Sequence, residues 1–307
     1  MISFKVLPEK EDVKEYLSSV KDCFSDETAF SEIEELLLSY LDMEGDDGHA
    51  ELAVTVSAGC FLIRICQYDY AFLCPIPISD GASISDAAEE IRKYAIKEEL
   101  PLTFIDVYKD DVNEVSEPFR FVDVYPMDDS GDVFVVAPKT EVGQLDALPV
   151  LEGEKIILDA ICEGDTTDYA RLCRSEKVNS LYGNDYRDDY GDAPDTAFFG
   201  RMEFEVSSGI SATFAIRYRG AFAGEASLFA FDYVGGAKVA IRLLPEFWGC
   251  GIGSEALCLI LKVAREIDLK RVSTAVKKEN TSSIKMTGKY MDYKCEENDT
   301  VIFEKVF

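Results

Sequence analysis

Two stretches near the start of the chain repeat apolar residues at helical spacing, "EDVKEYLSSVKDCF" (11–24) and "FSEIEELLLSYLDM" (30–43). Each follows acidic or polar residues that suit a helix start. Three short runs rich in β-branched and aromatic residues come next, "ELAVTVSAG", "CFLIRICQ" and "YAFLCPI", and their short polar connections predict an antiparallel meander. "SISDAAEEIRKYAIKEE" (83–99) alternates faces as an amphipathic helix, with Ser85 or Asp86 as its cap. "PLTFIDVY", "FRFVDVYP" and "GDVFVVAP" read as strands.

The stretch 139–155, with Gly143, Pro149 and Gly153 between two strand patterns, reads as a connector, which sets a domain boundary near residue 150. Beyond it the pattern is a strand "KIILDAI", a helix "TTDYARLCRSEKV", an irregular Gly/Asp/Tyr-rich loop (182–194) and a helix over 195–208. Three antiparallel strands follow, "SATFAIRYRG", "AFAGEASLFAFDY" and "AKVAIRLL". A helix "GSEALCLILKVAREIDL", a strand "RVSTAV", a helix from Asn280 to about Asp292 and a strand "TVIFEKVF" complete the chain. The expected class is α+β. The two halves, 1–150 and 151–307, share a coarse order of helices, meander, helix and strand, without a residue-level repeat.

Composition narrows the chemistry. With 307 residues and 47% hydrophobic side chains, the chain can fill two cores. It has no apolar run of ~18 residues, so no membrane span is expected. A start lacking a basic-then-apolar pattern predicts no secretory signal. None of the nine cysteines forms a C-x-x-C pair and most lie in apolar runs, which predicts reduced, buried thiols and a cytoplasmic location. The one histidine, His49, sits in the acidic turn "MEGDDGHAE", so neither a metal site nor a histidine-based triad is expected. Residues 1–150 hold 11 Lys/Arg against 33 Asp/Glu, a net −22, and the remaining 20 against 26 give −6. That excess argues against nucleic acid as a partner and is compatible with an amine-bearing substrate.

The most informative stretch is "PEFWGCGIGSEAL" (245–257), where Gly249, Gly251 and Gly253 stand at a strand-to-helix junction. A helix N-terminus presents unpaired N–H groups and the positive end of the dipole, and missing Cβ atoms let an anion approach the backbone. No lysine follows, so this is not a P-loop. Ser254 stands where a dinucleotide fingerprint needs its last glycine, and the strands before it are antiparallel. A tight turn without a ligand fits the glycines equally well.

This stretch closely resembles the coenzyme A loop of the GNAT superfamily of acyltransferases, whose pattern is Arg/Gln-x-x-Gly-x-Gly/Ala. Trp248 after Phe247 resembles the ribosomal-protein N-acetyltransferase branch. So, in order, do "KIILDAICEGDTTDYARLCRSEKVNSLYG", "ATFAIRYRGAFAGEASL" and "KKENTSSIKMTGKYMDY", about 150 residues in all. The resemblance implies an acyl-CoA-dependent N-acyltransferase that transfers acetyl from acetyl-CoA to a primary amine on a small molecule or peptide N-terminus. Carried over by position, Trp248, Gly249, Cys250, Gly251, Ile252, Gly253 and Ser254 would form the pyrophosphate loop. Leu243 would pair its backbone with the pantetheine arm and supply a nearby N–H for the oxyanion. Asn280 and Ser283 would touch the far side of the cofactor.

The chain departs from the family pattern at several places. Cys250 stands at an often basic position, and Met291 and Asp292 replace a Gly-Phe ending. The tyrosine that is general acid in many relatives falls at Thr287, leaving Tyr290 or Tyr293 as substitutes. A glutamate carried before the loop falls nearest Lys238, leaving Glu225 as a candidate base; its alternative reading is an exposed strand residue. The first half more faintly resembles the GNAT-like domains of aminoacyl-transferring enzymes such as lysyl-phosphatidylglycerol synthases, through "FLCPIPISDGASISDAAEEIRKYAIKEELPLTFIDV". It lacks a Gly-rich loop, so the expectation is two GNAT-like domains in tandem, each a mixed, mostly antiparallel sheet flanked by helices, the first degenerate. Two further readings remain, a tRNA-dependent aminoacyl transferase and a non-catalytic acyl-CoA-binding protein.

Overall fold

The computed structural model describes residues 145, 147–182 and 196–307, together with the helices and strands named below between Phe4 and Pro138. The chain divides into two compact units, Met1–Thr140 and Glu141–Phe307. In the first, β1 (Phe4–Leu7), α1 (Lys10–Ser19), α2 (Glu27–Tyr40), β2 (His49–Thr55), β3 (Cys60–Gln67), β4 (Tyr70–Pro77), α3 (Ile84–Lys97), β5 (Thr103–Tyr108), β6 (Phe119–Met127) and β7 (Gly131–Pro138) follow in order. The sheet runs β1-β2-β3-β4-β5-β7-β6, and its one parallel pair is β4 with β5. The predicted meander is therefore present. His49 opens β2 opposite Cys66 instead of lying in a turn, and Ser85 and Asp86 fall inside the first turn of α3 rather than at its cap.

The second unit contains β8 (Leu151–Glu152), β9 (Ile156–Ala160), α4 (Thr166–Cys173), α5 (Glu176–Tyr182), α6 (Thr196–Ser208), β10 (Ser211–Tyr218), β11 (Ala221–Phe229) and β12 (Gly236–Leu243). It continues with α7 (Ile252–Glu266), β13 (Arg271–Lys277), α8 (Thr281–Thr287), β14 (Asp292–Glu297) and β15 (Thr300–Val306). The helix predicted over 166–178 is two helices. The one predicted to about Asp292 stops at Thr287, and the residues after its Gly288 cap turn into β14, which the periodicity did not separate. Leu145, Leu148 and Leu151, read as connector, pack on the second unit's core.

The sheet order is β8-β9-β10-β11-β12-β13-β15-β14, with β12 and β13 the parallel pair. From β9 onward this reproduces the order and orientations of the first unit. In both units the second-to-last strand, β6 or β14, carries a register shift against the last. Each face of the sheet has its own core. Ile252, Ala256, Leu257, Ile260, Val263 and Ala264, at helical spacing on α7, pack with Ala223, Ala226 and Leu228 of β11. On the other face, Tyr169, Leu172 and Cys173 of α4, Val178 of α5 and Phe198 of α6 pack on Ala215 and Phe222. β11 is thus covered on both sides and is buried along almost its whole length, the polar Glu225 and Ser227 included. The thiols divide differently from expectation. Among the described cysteines, all free, only Cys173 is buried, while Cys162, Cys250 and Cys258 are exposed. Cys258 sits on the outer side of α7, off the helical stripe that faces the sheet.

Two polar clusters fix the framework. Asp232, almost fully buried, accepts from the N–H groups of Val234 (2.9 Å) and Gly236 (2.6 Å) and from Arg271 Nη2 (2.8 Å). It clamps the β11–β12 turn to the first residue of β13. Arg217 of β10 gathers Asp159 of β9 (2.8 Å) and Asp165 before α4. Burial opposes ionisation of Asp165, but hydrogen bonds from Arg217 and from the Cys162 N–H outweigh it and hold the carboxyl below its ordinary 3.8.

Replacing Asp232 with Ala leaves two buried N–H groups without their acceptor. It should lower unfolding free energy by about 2–4 kcal/mol in urea titration. A carboxyl depressed in the folded state stabilises above its unfolded value and loses that contribution as pH falls. Asp165→Asn should therefore be less stable than the native chain at pH 7, and the gap should close as pH drops below 3.8. A constant gap in denaturation curves across that range would count against the assignment.

Candidate functional site

β12 and β13 are paired only at Gly236↔Arg271, Ala237↔Val272 and Lys238↔Ser273. Beyond that rung β12 stays laddered to β11 as far as Leu243↔Gly224, and β13 stays laddered to β15 as far as Lys277↔Thr300. The sheet splits between two strands that are each held from outside. The joined end of the split is the one Asp232 clamps. Leu244 gives its N–H to Ala223 O (2.9 Å), so Leu244 faces β11. Strand alternation then turns the N–H and C=O of Ile241 and Leu243 toward the opening.

Gly224 is required for this arrangement. β11 holds one extra residue against β10, since Ile216 pairs Gly224 while Arg217 pairs Phe222, which makes a bulge at Ala223. At Gly224 a Cβ would stand 2.0 Å from Arg242 O, with φ at +155°. Only glycine lets β12 lie so close to the bulge.

Past Leu243 the chain makes a 3-10 turn, Pro245–Phe247, and then the glycine loop. Gly249 (φ +75°) and Gly251 (φ +80°) are both left-handed, and a Cβ on Gly249 would meet nothing within 4 Å. Gly251 is the N-cap of α7 and supplies no side-chain cap, so the first-turn N–H groups face outward from a bare backbone. Gly253 has a different reason. Its Cβ would lie 2.9 Å from Met286 Sδ, so glycine there lets α7 pack against α8. Trp248, 41% exposed, donates its indole N–H to Leu243 O at 2.8 Å. Cys250 is exposed, its thiol directed at Trp248 O (3.7 Å).

The structure adds a cation that local sequence did not signal. Glu255, in the first turn of α7, accepts from Lys155 N (2.8 Å) and pins the β8–β9 turn against the helix start. The Lys155 Nζ then lies 3.5 Å from where a Gly251 Cβ would stand. Lys155 is 96 positions from Gly251 in sequence, so only the fold could bring them together.

The remaining candidates scatter. Asn280 caps α8, its side-chain oxygen accepting from Ser283 N (3.2 Å), so these two residues meet each other. Tyr290 is half-buried against the core just past α8, whereas Tyr293 on β14 is 62% exposed. Thr287 is buried. Glu225 is not the exposed strand residue of the alternative reading. It is 3% exposed, on the face opposite α7, with Oε1 2.7 Å from Arg242 Nε across the β11–β12 pair. Glu225 Oε2 is buried and accepts no hydrogen bond among the described residues. The Arg242 guanidinium lies 5.3 Å from the Tyr182 ring centre of α5. Burial, the largest influence, pushes the nearby Cys173 thiol up to about 11. On this same side a groove of about 580 Å³ runs between α4 and the turn after β12, lined by Thr166, Thr167, Arg171, Arg174 and Glu246. Arg171 pairs with both Asp168 (2.7 Å) and Glu246 across it.

Residues 155–290 match the family model described as acetyltransferase (GNAT) domain. No curated protein matches the sequence. Among solved structures, Mycobacterium smegmatis RimJ in complex with a CoA-disulfide is 18% identical, over 54% of this chain and 86% of that one, with TM-score 0.44. RimL, a ribosomal-protein α-N-acetyltransferase in complex with coenzyme A, is 16% identical over 52% and 98%, TM-score 0.43. An acetyltransferase from Agrobacterium tumefaciens is 14% identical over 52% and 96%, TM-score 0.42.

Glu225→Gln would leave the Arg242 charge buried without its counter-ion. Urea denaturation should show a loss of about 3–5 kcal/mol. A loss under ~1 kcal/mol would mean that water reaches the pair.

Proposed function

We propose that the second unit, whose residues 155–290 match the acetyltransferase (GNAT) domain model, transfers an acetyl group from acetyl-CoA to a primary amine on a small molecule or peptide N-terminus. The observation that carries this reading is the split between β12 and β13 ending at a bare, doubly left-handed glycine loop. The strand edge suits an arm bearing amides, which can pair with it as an added strand would. The loop and the start of α7 suit a diphosphate, with Lys155 giving the positive charge that Cys250 does not. Asn280 and Ser283, at the start of α8, stand for the far wall.

Bound acetyl-CoA supplies the thioester. The chain's part is placement and polarisation. A main-chain N–H of Ile241 or Leu243 would hold the carbonyl oxygen as charge develops on it. Glu225 Oε2 would accept the proton shed by the attacking amine, Oε1 being held by Arg242. Tyr290 would return a proton to the departing sulfur; its half-buried position favours it over Tyr293 on the outer strand. Much of the acceleration would come from orientation, which asks little of individual side chains.

We further infer that the first unit is a second GNAT-like domain without coenzyme chemistry. The repeated strand order and orientations support this. Beyond the last β4–β5 rung, Leu73↔Ile105, β4 carries Pro75 and Pro77, which have no N–H to offer an arm. No described helix is long and apolar enough to cross a membrane.

Isothermal titration with acetyl-CoA should give a saturable isotherm, and thiol release across a panel of amines and peptides should identify the acceptor. Lys155→Gln should weaken coenzyme binding about tenfold, ~1.4 kcal/mol, with an unchanged melting temperature. No heat of binding near millimolar coenzyme would remove the reading.

A further inference from the structure

We propose that Trp248 is a latch across the coenzyme cleft, closed on Leu243 in the free chain and displaced by the pantetheine arm; this rests on the coenzyme reading above. Leu243 is the last residue of β12 that turns its main chain toward the opening, and the one nearest the glycine loop. Any arm that pairs with this strand and continues to the loop must pass its carbonyl. That carbonyl already accepts the Trp248 indole N–H at 2.8 Å. Because the carbonyl points into the opening, its donor lies there too, so the indole stands on the arm's path.

The latch can move. Trp248 is 41% exposed, in contrast to the buried aromatic rings of the cores. The next residue, Gly249, is left-handed with open space around its Cβ position, and Gly251 is left-handed as well. The indole can therefore swing without disturbing a core. Its hydrogen bond holds the loop against the strand in the free chain, and an arm amide that takes the same acceptor replaces one bond with another. A closed latch reduces the fraction of molecules ready to bind, and removing the bond should raise apparent affinity by that fraction.

Trp248 is the only tryptophan in the chain, so its fluorescence reports the latch directly. Coenzyme A should change the emission saturably, whereas ADP, which has the diphosphate but no arm, should not. Trp248→Phe keeps a ring and removes the N–H donor. It should bind coenzyme A about three- to fivefold tighter by calorimetry, a gain larger than any change in its affinity for ADP. Trp248→Ala should move in the same direction, which guards against an unforeseen packing role of phenylalanine. If coenzyme A binds by calorimetry but the emission is unmoved, or if both variants bind it equally or more weakly, Trp248 is not a latch and the coenzyme reading stands. If coenzyme A does not bind the native chain at all, both fall.

Discussion

The parting of β12 from β13 is the constraint on which the second unit is arranged. A parallel pair would ordinarily continue its hydrogen bonds to the strand ends. Here each strand is committed elsewhere, β12 to β11 and β13 to β15. The bulge at Ala223 and the close approach at Gly224 hold β12 to its outer neighbour. Asp232, bridging Gly236 and Arg271, keeps the other end shut. Main-chain donors and acceptors that a closed sheet would consume are left facing a cleft. On the proposed function, these are the groups with which an amide-bearing arm would pair.

Charge in the second unit is spent locally. Arg217 and its two aspartates join β9, β10 and the start of α4. Glu225 and Arg242 lie under α4 and α5, with side chains 4% and 0% exposed. Such a pair adds little net stability against apolar residues of equal volume, but it makes loss of either partner costly. Around the glycine loop the arrangement reverses. The loop has no charge of its own, and Lys155 is carried there by a turn that Glu255 anchors. The chain's net charge of −28 therefore says little about the field at this loop.

Helices and strands with one dry face were readable because their periods are local. α7 shows this best, since its buried positions repeat at three and four residues over its whole length. The glycine loop was equally visible, because left-handed backbone at a strand-to-helix junction selects glycine in the sequence itself. Pattern misled where burial depended on partners. Glu225 reads as a surface residue until Arg242 is placed opposite it, and the turn between β11 and β12 does not announce that register. Cys258 lies in an apolar run yet faces outward, since the run exceeds the width of the helical stripe. α8 and β14 merged in the periodicity because Lys289–Met291 carry apolar and polar residues compatible with either.

Local sequence determined most of the elements and the bare loop, because hydrophobic period and glycine conformation act over a few residues. The tertiary structure alone decided where the sheet splits, which carboxylate meets which guanidinium, and that Lys155 is carried to the loop. Those outcomes depend on register and on contacts between residues far apart in the chain. Such contacts leave no local trace, because each partner taken singly is an ordinary polar or aromatic residue.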